Sequence, residues 1–402
     1  MCAAATNIQQ VGLGYRYGLA IGIGLVLSTA VRRLQDYLVE RQESRIVRAP
    51  RRLLDQLSGN EMQALPYTPN SLPGGRLVDT PYGSMQVYEW GPLEGDKVLL
   101  LPGISTPVPS LGNLGEGLVR RGYRVMMFDL YGRGWSDNPT DVPHDEQLYV
   151  SQIMFALASS QLSWTGSSAL HLFGYSLGGG LAISFARYFP DMLKSLSLLA
   201  PAGLIRRDHL NWRGRLLYSR ASILPEWLLT LLVKKRLEPP VLPAAVVSLP
   251  SSKQSSGNGD ASGGNAFDQA VIWPDRPQVT VAALVSWQLK HHSGFPPAFM
   301  STMRHAPIFE QQEAWSVVAG HMEKKRRNDS LSHRSARRNG VVLLIQGTED
   351  TVILPSEMVA DAEAVFGKEG VDTVLLEGGH EIPITKPKMV ADALVSHWTQ
   401  ES

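Results

Sequence analysis

Residues 169–188 read ALHLFGYSLGGGLAISFARY, and this stretch decides the fold. It begins with a short apolar run that predicts a buried parallel strand, and it ends with a helical segment over residues 177–188. Between them, Gly174-Tyr175-Ser176-Leu177-Gly178 matches the pattern G-x-S-x-G. A strand that turns at once into a helix must bend sharply, so the pattern predicts a strained serine that projects above a sheet.

The segments on either side of this turn alternate between strand and helix patterns. A hairpin is predicted over residues 76–90, around Pro81-Tyr82-Gly83. Further strands are predicted at 97–101, 123–130, 195–199, 341–346 and 373–376, and helices at 111–121, 145–160, 355–366 and 388–399. Such alternation requires a mostly parallel sheet covered on both faces. The sequence therefore predicts an α/β fold with a doubly wound, mostly parallel sheet.

The alternation stops between residues 204 and 339, where tryptophans and prolines are interspersed with helical stretches such as 226–237 and 279–290. This break predicts a core of residues 76–203 and 340–402 with a helical cap inserted at 204–339. Two polar segments of the cap are predicted to be flexible loops. They are residues 251–265 (SSKQSSGNGDASGGN) and 323–338 (EKKRRNDSLSHRSARR).

Residues 1–60 form a tail with a different composition. Within it, residues 11–31 (VGLGYRYGLAIGIGLVLSTAV) carry Arg16 as their only charge and are long enough to span a bilayer if that side chain snorkels. We therefore predict an N-terminal membrane anchor. Arginines follow the segment closely, so the positive-inside rule places the downstream domain on the cytoplasmic side. The alternatives are a cleaved signal peptide, with Ser28-Thr29-Ala30 as its cleavage site, and a surface helix of a cytoplasmic protein.

Composition argues against several classes of function. The chain has 402 residues, 44% of them hydrophobic, and a formal net charge of +1, so no overall field attracts nucleic acid. A single cysteine, Cys2, excludes an intramolecular disulfide framework and a cysteine-based metal site. No histidines and carboxylates have metal-ligand spacing, and Gly178-Gly179-Gly180 lacks the phosphate-binding pattern. We therefore expect no metal and no cofactor. The sequence does not set the oligomeric state.

A serine nucleophile needs a base, and the base needs an acid that orients it. Asp350 follows the predicted strand at 341–346, and His380 lies on the glycine-rich loop that follows the strand at 373–376. We therefore expect Ser176 to be the nucleophile, His380 the general base and Asp350 the orienting acid. Glu349 is the competing acid.

The oxyanion of such a reaction requires two backbone N–H donors. Leu177, directly after the serine, is one candidate, and Ile104, on the loop after residues 97–101, is the other. Asp129 is expected to brace its own loop by hydrogen bonding, and His171 is expected in the core. His291 and His292 fall in the cap, where they are expected at the surface or lining a pocket.

Five blocks of sequence resemble, in order, the signature segments of α/β-hydrolase-fold enzymes of the esterase, lipase and C–C hydrolase type. They are Leu101-Pro102-Gly103, residues 129–136 (DLYGRGWS), GYSLGG at 174–179, GTED at 347–350 and GGHEIP at 378–383. The resemblance covers residues 76–203 and 340–399 and implies the triad and oxyanion donors at the positions given above. Two features depart from the family pattern. Pro102 replaces the usual histidine before the oxyanion glycine, and Asp350 reaches Pro355 one residue later than is common.

The predicted activity is hydrolysis of a carboxylic ester, lipid-like if the anchor is real, through an acyl-enzyme. Amide or peptide hydrolysis uses the same machinery, and C–C bond hydrolysis is a further alternative because Gly178-Gly179 also suits that subfamily. A different class is a non-catalytic protein that uses the cap to bind a partner. The expected partner of the site is a small-molecule or lipid ester, and nucleic acid is not expected.

Overall fold

The computed structural model describes residues 27–31, 33, 46–209, 214, 218–219, 226–238, 264–331 and 339–399. The chain divides into two compact units, Met1–Ile46 and Val47–Ser402. In the first unit, residues 27–31 and 33 are helical. Within the ranges that are described, no helix combines the length and apolar character needed to span a bilayer. Most of the anchor predicted at residues 11–31 lies outside these ranges, so it stays a prediction.

An eight-stranded sheet forms the centre of the second unit. Its strands are β1 (Gly75–Thr80), β2 (Gly83–Trp90), β3 (Lys97–Leu101), β4 (Arg124–Phe128), β5 (Leu170–Tyr175), β6 (Leu193–Leu199), β9 (Val342–Gly347) and β10 (Val371–Leu376); β7 (Val271–Trp273) and β8 (Arg276–Thr280) form a separate antiparallel hairpin. The strand order across the sheet is β10-β9-β6-β5-β3-β4-β2-β1. Strand β2 is antiparallel to both β1 and β4, and the remaining pairs are parallel.

Helices flank this sheet. Their bounds are α1 (Gly59–Ala64), α2 (Gly112–Val119), α3 (Glu146–Ala158), α4 (Leu177–Tyr188), α5 (Glu226–Leu237), α6 (Gly264–Gln269), α7 (Val281–His291), α8 (Phe295–His305), α9 (Gln312–Leu331), α10 (Pro355–Phe366), α11 (Ile382–Thr385) and α12 (Pro387–Thr399). Short 3-10 helices cover Pro50–Gln56, Val108–Leu111, Pro190–Met192 and Arg207–His209, and two-residue strands cover Ile46–Val47 and Asn138–Pro139. Helix α2 packs against α12, and α4 packs against α3 and α9, as expected when helices cover both faces of a parallel sheet. The predicted fold class is confirmed.

The central strands are buried along almost their whole length because they have helices on both sides. All six residues of β5 are buried, whereas the edge strand β10 is buried only at its two end residues. A continuous apolar run therefore marks the middle of this sheet, as it does in parallel sheets in general. The carboxyl ends of β3, β5, β9 and β10 meet at one edge, and the loops that carry the predicted site residues follow them.

The prediction of a loop at residues 323–338 is wrong for the first half of that range, because α9 continues to Leu331. Two of its basic side chains donate to backbone carbonyls at or near the starts of sheet strands. Lys325 donates to the backbone carbonyl of Leu193, and Arg326 donates to that of Gly340 over 2.7 Å. Residues 332–338 lie outside the described ranges. The same is true of residues 251–263 in the other predicted loop, whose last two residues belong to α6.

Candidate active site

Ser176 lies at the turn between β5 and α4 in a strained conformation, with φ 54° and ψ −120°. Hydrogen bonds on both sides hold it there. Its N–H donates to the Leu199 carbonyl over 3.0 Å, and its own carbonyl accepts from the N–H groups of Gly179 and Ala202, each over 2.8 Å. Ser176 is half-buried and directly precedes helix α4. The dipole of that helix favours negative charge at its N-terminus, next to the serine.

Two glycines allow the chain to pass this tight turn. A side chain on Gly174 would clash with the backbone of Gly178, and one on Gly178 would clash with the carbonyl oxygen of Leu101. The second contact packs the first turn of α4 against the end of β3. It follows that the loop after β3 must run beside Ser176.

His380 connects the serine to a carboxylate. Its Nε2 lies 3.0 Å from the Ser176 Oγ, and its Nδ1 lies 2.8 Å from Asp350 Oδ2. The other carboxylate oxygen of Asp350 accepts the N–H groups of Val352 and Ile353, each over 2.8 Å. Both His380 and Asp350 are buried. The structure thus brings together three side chains from loops that are up to 204 residues apart in sequence.

Glu349, the competing acid, does not join this arrangement. Its side chain is exposed, while its backbone N–H donates to the Gly378 carbonyl over 2.8 Å. The neighbouring Asp350 points to His380 because its Oδ1 is tied to the two backbone N–H groups that follow it.

Three further side chains position the histidine, and the sequence analysis missed them. The Tyr175 hydroxyl donates to the backbone carbonyl of His380 over 2.7 Å, and Glu381 accepts the N–H of Gly379 over 3.0 Å. Burial, together with the charges of Asp350 and Glu381, raises the pKa of Tyr175 well above its ordinary value, so its hydroxyl stays a donor. The ring of Phe267 lies 5.8 Å from the imidazole. Of these three residues, only Tyr175 could have been found from the sequence, because it directly precedes the serine.

The two predicted oxyanion donors belong to segments beside the serine. A Cβ on Gly103 would lie 3.6 Å from the Cβ of Ser176, and Ile104 is the next residue. Leu177 is the first residue of α4. Within the described ranges, neither the Ile104 nor the Leu177 N–H donates a hydrogen bond. The carbonyl of Ile104 accepts a hydrogen bond from Arg133 Nε over 3.0 Å.

Asp129 braces its loop, as predicted. Its Oδ1 accepts the N–H of Val108, and its Oδ2 accepts the N–H of Trp135, each over 3.0 Å. The Tyr67 hydroxyl donates to Oδ2 over 3.3 Å. Complete burial outweighs these bonds and raises the pKa of Asp129 to about 7. Asp129 therefore holds the loop of residues 129–136 against the loop after β3.

Other histidines are structural. His171 is buried in β5 beside the Ser195 hydroxyl, at 2.7 Å, and its predicted core position is confirmed. For His292 the surface prediction is wrong, because its Nε2 donates to the Ser136 carbonyl over 2.9 Å in a fully buried position. Burial lowers the pKa of His292 to about 4, so the ring is neutral. In the part of the chain that is described, no group of His, Cys, Asp and Glu could hold a metal ion.

Comparisons with known proteins agree with this architecture. Residues 95–257 match the family model of serine aminopeptidase, S33. The human serine hydrolase-like protein is 34% identical over 145 residues, which are 36% of this chain and 68% of the human protein. A carboxylesterase structure from the thaumarchaeon Nitrososphaera gargenis has a TM-score of 0.52 at 14% identity, covering 80% of this chain and 97% of that chain. A bacterial membrane phospholipase A has a TM-score of 0.51 at 16% identity, covering 93% and 96% respectively. At such identities the two structures show the fold alone, whereas the human relative shows the family: the chain belongs to the α/β-hydrolase-fold superfamily, among its serine hydrolase-like members.

Proposed function

We propose that this protein hydrolyses a carboxylic ester through an acyl-enzyme formed on Ser176. The proposal is supported by one observation above all, the hydrogen-bonded series from the Ser176 hydroxyl through His380 to Asp350. In this series the Nδ1–H of His380 donates to Asp350, which leaves Nε2 free to accept the serine proton. The strained φ of 54° at Ser176 is the kind of backbone conformation that the nucleophile of this fold adopts.

The reaction follows from these roles. Ser176 Oγ attacks the ester carbonyl carbon while its proton passes to His380 Nε2, and Asp350 stabilises the imidazolium that forms. The backbone N–H groups of Ile104 and Leu177 donate to the carbonyl oxygen as it becomes an oxyanion. His380 then gives its proton to the departing alcohol. A water molecule, deprotonated by His380, repeats the attack on the acyl-enzyme and releases the acid.

Residues 204–339 are proposed to form a cap that shapes the substrate site. The cap helix α6 puts the buried Phe267 ring 5.8 Å from the His380 imidazole, on the side of the base. An aromatic side chain in that position favours an apolar group on the substrate, because it excludes water from the reacting atoms. We therefore propose an apolar, lipid-like ester as the substrate class.

Labelling with a fluorophosphonate, which reacts with activated serines, tests the nucleophile. Wild type is expected to label and Ser176→Ala is expected not to. Ser184→Ala is the matched control, because Ser184 is buried in α4, the helix that follows Ser176, and its hydroxyl donates to Glu146 instead of a histidine. A folded wild type that does not label would contradict the proposal and favour a non-catalytic binding protein. The same labelling of membrane and soluble fractions tests the anchor predicted at residues 11–31.

A panel of p-nitrophenyl esters with increasing acyl length tests the substrate class. Longer acyl chains are expected to raise kcat/KM until the apolar space is filled. If the protein labels at Ser176 but hydrolyses no ester of the panel, Ser176 remains the proposed nucleophile and the ester is excluded as the substrate class. Amides or C–C bonds would then be the substrates to test.

A further inference from the structure

Arg133 is buried completely, and its guanidinium donates four hydrogen bonds. Nε donates to the Ile104 carbonyl over 3.0 Å, and Nη2 donates to the Thr302 hydroxyl over 2.9 Å. Nη1 donates to the Tyr131 carbonyl over 2.9 Å and to the Tyr149 hydroxyl over 3.2 Å. One side chain thus joins the loop after β3 to its own loop, to α3 and to α8.

Arg133 forms no ion pair with any carboxylate in the described ranges. Guanidinium groups stay protonated in proteins, so the interior holds a positive charge that only neutral oxygens solvate. Burying a charge without a counter-ion is costly. A neutral side chain could fill this volume at lower cost, which suggests that the charge and its hydrogen bonds serve the loop they hold.

The backbone carbonyl of Ser105, the residue after Ile104, also accepts a hydrogen bond from a buried side chain. Gln288 Nε2 donates to the Ser105 carbonyl over 2.9 Å, and its Oε1 accepts the N–H of Gly134 over 3.0 Å. Buried donors therefore fix the carbonyls of two consecutive residues on the loop beside Ser176. With its own carbonyl tied to Arg133, Ile104 cannot change its ψ angle without breaking a charged hydrogen bond, so one end of the residue is anchored.

We propose that Arg133 is a positioning residue that sets the oxyanion donor of Ile104 by holding the Ile104 carbonyl from behind. The inference rests on the proposed function. An oxyanion site stabilises the transition state because its donors are already in place and need no reorganisation during the reaction. Arg133 supplies that fixed geometry through its hydrogen bond to the Ile104 carbonyl.

Arg133→Lys tests the geometry, because lysine keeps a positive charge but has no Nε–H at the position that contacts Ile104. Loss of a whole oxyanion donor costs roughly 100-fold to 1000-fold in kcat, so a misplaced donor is expected to cost about tenfold to 100-fold. KM is expected to change by less than about twofold, because the contact acts on the transition state. Affinity for a trifluoromethyl ketone, whose adduct carries the same oxyanion, is expected to fall by the same factor as kcat.

Tyr149→Phe is the matched control. It removes the bonds of the Tyr149 hydroxyl to Arg133 and, over 2.7 Å, to Thr302, but it leaves the contact of Arg133 Nε with Ile104. The free energy of unfolding of this variant is expected to fall, while its kcat stays within about threefold of wild type. Urea unfolding of each variant shows that the kinetic comparison is made on folded protein. Arg133→Gln is the second variant if the lysine variant does not fold.

The outcomes separate the two proposals. A wild type that labels with fluorophosphonate, together with an Arg133 variant whose kcat matches that of Tyr149→Phe, would overturn this inference alone. A fall in kcat that only follows the unfolded fraction would overturn it as well. A folded wild type that does not label at Ser176 would overturn the proposed function and this inference with it.

Discussion

The hydroxyl of Tyr175 donates a 2.7 Å hydrogen bond to the backbone carbonyl of His380, a residue 205 positions later in the chain. Tyr175 is the last residue of β5 and directly precedes Ser176. The end of one strand therefore carries the candidate nucleophile and also holds the loop of the candidate base. The tyrosine ring also lies 5.1 Å from the imidazole, so it limits the tilt of that ring.

Tyr175→Phe should loosen the histidine loop without removing any reacting group. Because the buried His380 carbonyl would lose its partner, the free energy of unfolding is expected to fall by about 1–3 kcal/mol. The rate of fluorophosphonate labelling is expected to fall as well. Tyr188→Phe is the control, since Tyr188 is exposed and its hydroxyl donates to Glu146 over 3.0 Å. Its free energy of unfolding should change by less than about 0.5 kcal/mol. A labelling rate of Tyr175→Phe equal to that of wild type would show that His380 does not need the hydrogen bond from Tyr175.

Asp350→Asn should lower kcat by roughly 10,000-fold, because the amide favours the wrong histidine tautomer and cannot stabilise the imidazolium. Glu349→Gln alters an exposed side chain one residue away and should leave kcat unchanged. Steady-state hydrolysis of one p-nitrophenyl ester by both variants distinguishes the two acids. If the glutamine variant were the inactive one, the loop of residues 347–354 would have to rearrange during the reaction.

Much of this fold could be predicted because the decisive signals are local. Apolar runs mark the central strands, and Gly174 and Gly178 mark the turn between them and α4. The positions of Asp350 and His380 followed from the strands they succeed. Each of these predictions needed only a short window of sequence and the rule that parallel strands end at one edge.

The parts that could not be predicted depend on tertiary partners. The hydrogen bond between Gln288 and the Ser105 carbonyl joins segments 183 residues apart, and no local pattern announces it. The basic end of α9 resembled a solvated loop because the carbonyl of Leu193, which Lys325 binds, lies 132 residues away in sequence. The hairpin of β7 and β8 is a different case. Pro274-Asp275 indicates a turn between these two strands, but the sequence analysis predicted a helical cap and did not use this signal.

Gly178→Ala should destabilise the protein and abolish labelling together. The added methyl group would clash with the Leu101 carbonyl, and α4 would have to move away from the loop that carries Ile104. Gly320→Ala is the control, because Gly320 is exposed in α9 and a methyl group there meets no atom within 4 Å. Its free energy of unfolding should rise by about 0.5–1 kcal/mol, the usual gain for alanine over glycine in a helix. Urea unfolding measures both, and retained labelling in Gly178→Ala would contradict the assigned contact.

The buried carboxyl of Asp129 should make stability depend on pH in a definite direction. Burial raises its pKa from the ordinary 3.8 to about 7, so between these values the native state binds a proton that the unfolded state releases. The contribution of Asp129 to the free energy of unfolding is therefore fully present below about pH 4 and is lost as the pH rises towards 7. Urea unfolding across this range should show a steeper fall for wild type than for Asp129→Asn, by on the order of a few kcal/mol in total. Asparagine lowers stability at every pH because it cannot accept both backbone N–H groups, so the comparison is between slopes. Parallel slopes would mean that the hydrogen bonds from Val108 and Trp135 keep Asp129 ionised despite its burial.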